Sequence, residues 1–277
     1  MKPSTAVILA AGTGSRMLPI TAAIPKQLLP IVDRPAIDYV VDDIIAAGIS
    51  RIIIVHSPGE DGFKRYYESN PELEAALKRL GKTAELDRIK AVHQKAKFEF
   101  AIQPANAGYG SAVPLRAALP LLAADEAILV ADCDTFIPED PNISTKLIAA
   151  AASEDVAGVI AGIEQTPEQL QHFGALKTTG TGASERLDDI VEKPPVGTAP
   201  TNLSNMTRYL MGPSVWPYVK NLVPNPTTGE LYITDAVTAA AKAHPIAVAR
   251  IQGTFIDLGS LSGWAAANQL LQRRQSS

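Results

Sequence analysis

The stretch TAVILAAGTGSRMLPITAAIPKQLLPIVDRP, residues 5–35, decides how the rest of the chain reads. Residues 6–11 are an unbroken apolar run, the pattern of a strand covered on both faces. Behind it comes a loop of small residues from Ala10 to Gly14, followed by Arg16 and stiffened by Pro19, Pro25 and Pro30. Three readings compete: a dinucleotide turn, a triphosphate cradle and an ordinary glycine turn. A GxGxxG fingerprint needs glycine at position 17, where Met17 stands, and no Gly-Lys-Ser/Thr follows Gly12 as a P-loop requires. The bare backbone of Ala10, Ala11, Gly12 and Gly14 can instead close on a phosphate or a base, with Arg16 and Lys26 supplying charge. Two cations around a stiff loop suit a polyphosphate better than a hydride carrier. The segment alone leaves the plain turn open.

Working outward, DRPAIDYVVDDIIAAG, residues 33–48, sets Ile37, Val40, Val41, Ile44 and Ile45 on one helical stripe. Asp33 is expected to cap that helix, Pro35 to occupy its first turn and Gly48 to close it. Short aliphatic runs recur downstream in RIIIVH (51–56), EFAIQP (99–104), AILVAD (127–132) and DVAGVIAGIE (155–164). Strand, loop, helix, strand is a βαβ opening, so the expected class is α/β with a doubly wound sheet, in one large domain or two modest ones. Its ligand belongs at the carboxyl ends of the strands. Residues 64–97, charged with leucines at helical spacing, read as a helical insertion. Residues 194–204, PPVGTAPTNLS, read as an irregular loop. SLSGWAAANQLLQRRQSS reads as a Ser-capped C-terminal helix near 260–275 with a frayed polar tail.

Composition narrows the class. With 46% hydrophobic and 19% charged residues in 277, the chain can bury a sizeable core. A net charge of −4 gives no general attraction for a polyanion, and the short cluster of Lys90, Lys95 and Lys97 reads as a solvated face. Neither nucleic acid nor a membrane is therefore expected as a partner. The single cysteine, Cys133, excludes an internal disulfide framework and points to a reducing compartment, the cytoplasm. The N-terminal apolar run is too short for a signal h-region or a membrane span.

The opening stretch also resembles a longer pattern. GTGSRMLPITAAIPKQLLPIVDRP is similar to GxGTRMLPxTKxxPKEMLPxxxKP, the signature of the sugar-1-phosphate nucleotidyltransferases, and the likeness continues in register almost to the C-terminus. The resemblance implies a single α/β domain over 1–277 with a Rossmann-like, glycosyltransferase-A-like nucleotidyltransferase fold, its central sheet mixed, mostly parallel and flanked by helices. It implies an enzyme that transfers a nucleotidyl group from a nucleoside triphosphate to a sugar 1-phosphate, releasing pyrophosphate. Gln103 and the helical insertion match the uridylyl branch, making UTP and glucose 1-phosphate the expected substrates.

Residue by residue, the resemblance implies three catalytic cations: Arg16 and Lys26 on the triphosphate, and Lys193 of VEKPP on the sugar phosphate. Nucleotide binding falls to Ala10, Ala11, Gly12 and Gly14, with Gln103, Gly108 and Gly110 of QPANAGYGSAV. Gly174 of FGALK and Glu192 face the sugar. Asp132 and, in FIDLG, Asp257 occupy the metal-binding positions. Mg2+ is the implied cofactor, because it takes a few carboxylates together with phosphate oxygens and water. Asp134 is read as an adjacent reserve carboxylate, with a turn or helix-cap role favoured for it, and Cys133 as a small buried residue.

The pattern is not complete. Ala22 and Leu261 stand where the family carries lysines, Gln27 where it has glutamate, Ser111 where it has histidine and Thr207 where it has glycine. These departures keep dTTP or another sugar 1-phosphate open as substrates. They also keep open a catalytically silent regulator that binds a nucleotide sugar. Retention of Arg16, Lys26, Asp132, Lys193 and Asp257 favours the enzyme. A homo-oligomer, dimer or tetramer, is expected by the same resemblance, with the C-terminal helix as a contact.

Overall fold

The computed structural model describes residues 1–152 and 155–275. In chain order its strands are β1 (Thr5–Leu9), β2 (Pro30–Ile31), β3 (Arg34–Pro35), β4 (Arg51–His56), β5 (Lys97–Ile102), β6 (Ile128–Asp132), β7 (Thr135–Phe136), β8 (Gly158–Glu164), β9 (Gly174–Thr179), β10 (Arg186–Glu192), β11 (Leu203–Met211), β12 (Ile246–Ile251) and β13 (Ile256–Asp257). The helices are α1 (Ala36–Ala46), α2 (Gly62–Tyr67), α3 (Pro71–Arg79), α4 (Thr83–His93), α5 (Ala112–Ala118), α6 (Ile143–Ala152), α7 (Pro167–Leu170), α8 (Trp216–Lys220), α9 (Ile233–Ala241) and α10 (Leu261–Gln275).

Nine strands form one sheet in the order β5-β4-β1-β6-β11-β8-β12-β10-β9. From β5 to β6 the pairings are parallel; β11 runs against β6 and β8, and β10 against β12 and β9. Only β10 and β11 are reversed, so the mixed, mostly parallel sheet expected from the sequence is the one that forms. Its two covered faces explain the unbroken apolar runs. In β1 and β4, Ala6, Ile8, Ile52 and Ile54 pack with Ile37 and Ile44 of α1 and Leu147 of α6. The intervening Val7, Ile53 and Val55 pack on the other face with Leu115 of α5, Val219 of α8 and Val237 of α9. Each fully buried aliphatic side chain contributes about 1.5–3 kcal/mol, so no position of these strands tolerates a polar residue cheaply.

The start of α1 differs from the sequence expectation. Pro30–Ile31 pairs antiparallel with Arg34–Pro35, which leaves Val32 and Asp33 as the two-residue turn of a small hairpin. Asp33 therefore lies too far back to cap the helix; Pro35 is the N-cap residue, with no side-chain cap. Gly48, at φ +84°, does follow the helix end. Residues 64–97 run from within α2 through α3 and α4 to the first residue of β5, tied to the sheet where Tyr67 stacks on Phe98 with ring centroids 4.2 Å apart. The Ser260 hydroxyl accepts from Gly263 N at 3.1 Å, capping α10. That helix docks on the β2–β3 hairpin through Trp264 Nε1 to Pro30 O at 2.9 Å. The last two residues of the expected polar tail lie outside the described residues. Among the described residues, no helix is long and apolar enough to cross a membrane.

Candidate active site

The carboxyl ends of β1 and β6 build the centre. Their parallel register sets Leu9 opposite Asp132, so the carboxylate emerges beside the glycine loop. The two-residue ladder of β7 and β13 then pairs Thr135 with Asp257. Thr135 Oγ1 donates to Asp132 Oδ2 at 2.8 Å, so this ladder brings Asp257 alongside Asp132 although they are distant in sequence. Asp132, Asp134, Asp257, Arg16 and Lys193 all line one open cavity of about 920 Å³.

Each carboxylate there has its own cation. Arg16 grips Asp257 through Nη1–Oδ2 at 2.6 Å and Nη2–Oδ1 at 3.2 Å. Lys26 Nζ donates to Asp134 Oδ2. Arg208, fully buried, donates from Nη1 to the Asp132 carbonyl at 2.7 Å and to its Oδ1 at 3.3 Å. Burial, and then the charge of Asp134, hold the Asp132 carboxyl well above the usual carboxylate range. Burial also works against Asp134, yet the Lys26 ammonium outweighs it and Asp134 stays below that range. Lys26 is raised in turn, because Asp134 more than offsets its burial. Asp134 thus sits in the bend between β6 and β7 and is at the same time a member of the charged centre, the reserve-carboxylate role that the sequence reading ranked second. Cys133 is buried as expected, its thiol pushed up by burial and then by the two flanking aspartates.

A cavity of about 360 Å³ opens beside this centre, lined by Ala11, Gly12, Lys26, Gln103 and Gly110 among the expected residues. Ala10 and Gly14 lie behind it: Ala10 is fully buried, its carbonyl accepting from Gln27 Nε2 at 2.9 Å, and Gly14 sits at φ +61° before the turn carrying Arg16. Gln27 lines the cavity too, with Oε1 buried and without a hydrogen-bond partner. Gly110, at φ +128°, is locked against residue 231: a Cβ there would lie 2.4 Å from Leu231 O and 2.5 Å from Leu231 N. Ser111 Oγ accepts from Ile233 N at 3.0 Å and so tethers the start of α9 to the same loop.

A third cavity, about 210 Å³, adjoins both, and Gly174, Glu192, Glu230 and Thr234 line it. The β9–β10 register pairs Glu192 with Gly174, where a Cβ would come within 2.8 Å of Glu192 Oε2. Burial raises the Glu192 carboxyl above its ordinary range, partly countered by Lys193. Lys193 itself is exposed at φ +46°, its N–H donating to Phe173 O at 3.0 Å. Of the sequence candidates, only Ala10, Gly14 and Gly108 support the cavities without lining them. Sequence reasoning passed over Gln27 as a pocket residue, Tyr109, Arg208 and Glu230. Of these Arg208 carried a legible signal, a lone charge inside the apolar strand LSNMTRYLM.

This arrangement, a centre of paired cations and carboxylates flanked by two polar pockets on a mixed Rossmann-like sheet, has the make-up of a site for a polyanionic substrate. The sequence pattern of the nucleotidyl transferase family matches residues 5–274, and the chain belongs to that family. It is 33% identical over 267 residues to UTP–glucose-1-phosphate uridylyltransferase of Bacillus subtilis, covering 95% of this chain and 89% of that protein. It is 32% identical to the protein of the same name from Mycoplasma pneumoniae, over 95% and 90%. Among solved structures it is similar to an apo UDP-glucose pyrophosphorylase (TM-score 0.87, 25% identity, 99% of each chain). It is likewise similar to the UTP-bound enzyme from Acinetobacter baumannii (TM-score 0.86, 27% identity, 97% of this chain and 93% of that one).

Proposed function

We propose that this chain transfers the uridylyl group of UTP to glucose 1-phosphate, giving UDP-glucose and pyrophosphate. The observation that carries the reading is that Arg16 and Lys193 line one cavity while Lys26 lines the adjoining amide-walled pocket, with a pocket of carboxylates and hydroxyls beside both. The amides suit a pyrimidine edge: Gln27 Oε1, buried and unpartnered, seeks a donor such as a ring N–H, while Gln103 adds a second amide on the same wall. The smaller pocket suits a hexose, with Glu192 and Glu230 as acceptors for its hydroxyls.

In the reaction, a phosphate oxygen of the sugar 1-phosphate forms a bond to the α-phosphorus while the bond to the β-phosphate oxygen breaks and pyrophosphate leaves. A phosphate monoester is already a competent nucleophile, so the protein's task is alignment and charge neutralisation. Lys193 holds the attacking phosphate, Lys26 the triphosphate near the reacting phosphorus, and Arg16 the departing pyrophosphate.

Among the described residues no group of three or more carboxylate, imidazole or thiol side chains is placed to hold an ion by itself, so a divalent cation here, Mg2+ as the natural choice, needs phosphate oxygens of the substrate to complete its shell. Asp132 is held toward its neutral form by burial and a neighbouring negative charge, a penalty that a cation removes. Asp132 and Asp257 would hold it, with Asp134 adjacent. When bound, the ion supplies charge neutralisation at the phosphates. We further take the protein to be a cytoplasmic homo-oligomer, a dimer or tetramer, which light scattering of the purified chain tests.

The deciding experiment follows pyrophosphate release for a panel of nucleoside triphosphates against sugar 1-phosphates with Mg2+. Highest kcat/KM with UTP and glucose 1-phosphate is expected. Silence across the panel overturns the reading, and a maximum at another pair corrects its substrates.

A further inference from the structure

Thr207 is one of three non-glycine residues with positive φ among the described residues, at +52°. A β-branched side chain in that region is a true outlier, of a kind that persists only where the surroundings enforce it and that concentrates at functional sites. The enforcement is visible. Between Asn205 and Tyr209 the β11 register slips against β8: Asn205 pairs with Gly162, but Tyr209, four residues on, pairs with Ile160, only two residues back. Asn205 clamps the resulting bulge, its Oδ1 accepting from Thr207 N at 3.0 Å and its Nδ2 donating to Tyr209 Oη at 2.7 Å. Every residue of β11 from Leu203 to Met211 is buried except Thr207. Thr207 alone of that strand lines all three cavities, those assigned here to base, sugar and phosphates.

Glycine would take this backbone conformation without strain. A threonine kept in it places a methyl and a hydroxyl at the junction where the nucleotide and sugar pockets meet. Resting on the function proposed above, we propose that Thr207 is a specificity-determining residue that narrows the sugar pocket to an unsubstituted hexose and rejects a hexose 1-phosphate bearing a bulky substituent such as an acetamido group. The pocket is the smallest of the three, at about 210 Å³, and glycine at 207 would remove from its wall the Cβ, methyl and hydroxyl together.

The test compares wild type with Thr207→Gly, Thr207→Ser and Thr207→Val. Two quantities are read: kcat/KM for glucose 1-phosphate against N-acetylglucosamine 1-phosphate, and calorimetric Kd for the two corresponding UDP-sugars. Thr207→Gly is expected to lower the discrimination ratio at least tenfold in both readouts while raising the thermal midpoint, because strain is relieved. Thr207→Val, which keeps the bulk, is expected to hold the wild-type ratio, and Thr207→Ser to fall between. An unchanged ratio in folded Thr207→Gly overturns the proposal, as does a ratio that follows the hydroxyl and not the bulk. If wild type turns over no substrate, the proposed function fails, and the Kd ratios still decide the role of Thr207.

Discussion

Replacing Lys26 by methionine separates what holds the site together from what drives its chemistry. Lys26 and Asp134 are largely buried partners, with side chains 14% and 27% exposed. Removing one member of a buried pair leaves an uncompensated charge and costs about 3–5 kcal/mol, and the partial exposure of Asp134 places this case toward the lower end, about 3. The neighbouring Asp132 makes the stranded charge worse. Removing both members, in Lys26→Met with Asp134→Asn, is expected to return stability to within about 1 kcal/mol of wild type, since the unpaired charge is gone. Turnover behaves differently. A cation aimed at charge that develops in the transition state is worth about 2.7–4 kcal/mol, or about 100- to 1,000-fold in kcat, and asparagine at 134 cannot restore it. Urea unfolding followed through the two tryptophans gives the stabilities, and pyrophosphate release gives the rates. A single variant as stable as wild type, or a double variant that regains turnover with its stability, refutes the assignment of Lys26 to both tasks.

Lys193→Ala is expected to lower kcat/KM for the sugar 1-phosphate at least 100-fold with a nearly unchanged unfolding midpoint, because the side chain is exposed and the backbone bond to Phe173 O survives the substitution. Gly174→Ala is expected to raise KM for the sugar 1-phosphate but not for UTP, since its Cβ would displace the Glu192 carboxylate; steady-state kinetics with each substrate varied checks this. Glu192 sets a pH dependence. Its carboxyl is raised by burial, so the folded chain binds that proton more tightly than the unfolded chain does, and its contribution to stability grows as pH falls through the raised value. The acid limb of kcat/KM for the sugar 1-phosphate should therefore begin above pH 4.5, the ordinary value for this group, and Glu192→Gln should remove the part that the substrate's own phosphate ionisation does not explain.

The fold was legible where burial is complete. β1, β4, β6 and β8 are apolar on both faces, and no other element type accommodates such short continuous runs between turn residues. β9 and β10 were not, because one is the sheet edge and both carry exposed positions: RLDDIVE alternates weakly and reads as well for a loop. The site divides on the same line. Arg16, Lys26, Asp132, Lys193 and Asp257 stand out as charged residues within patterned stretches; the structure brings four of them to one cavity and ties Lys26 to it through Asp134. Asp134 did not, because a carboxylate two residues past a strand end is most often a turn residue. Its pairing with Lys26 is a long-range fact that no local periodicity carries. Asp33 failed in the opposite sense: its chemistry suited a cap, but the β2–β3 hairpin uses it as a turn.

The pairing of every central carboxylate with a cation answers a physical difficulty of the proposed reaction. A site that binds two polyanions needs several positive charges in one cavity, and before substrate arrives those charges would repel each other and destabilise the fold. Here Arg16 rests on Asp257, Lys26 on Asp134 and Arg208 on Asp132, so each of these three cations has a carboxylate to offset its charge. These three pairs are not equivalent. Arg208 is fully buried and also bonds the Asp132 backbone, so its pair is fixed and orients the carboxylate. Arg16 is 60% exposed and its pair faces solvent, where such contacts contribute about 0–1 kcal/mol, so an arriving phosphate can take its guanidinium at small cost. Lys26 lies between, buried but adjoining the nucleotide pocket. In the proposed reaction the expected order of exchange follows the order of exposure: Arg16 yields first to an arriving phosphate, Lys26 after it, and Arg208 stays on Asp132.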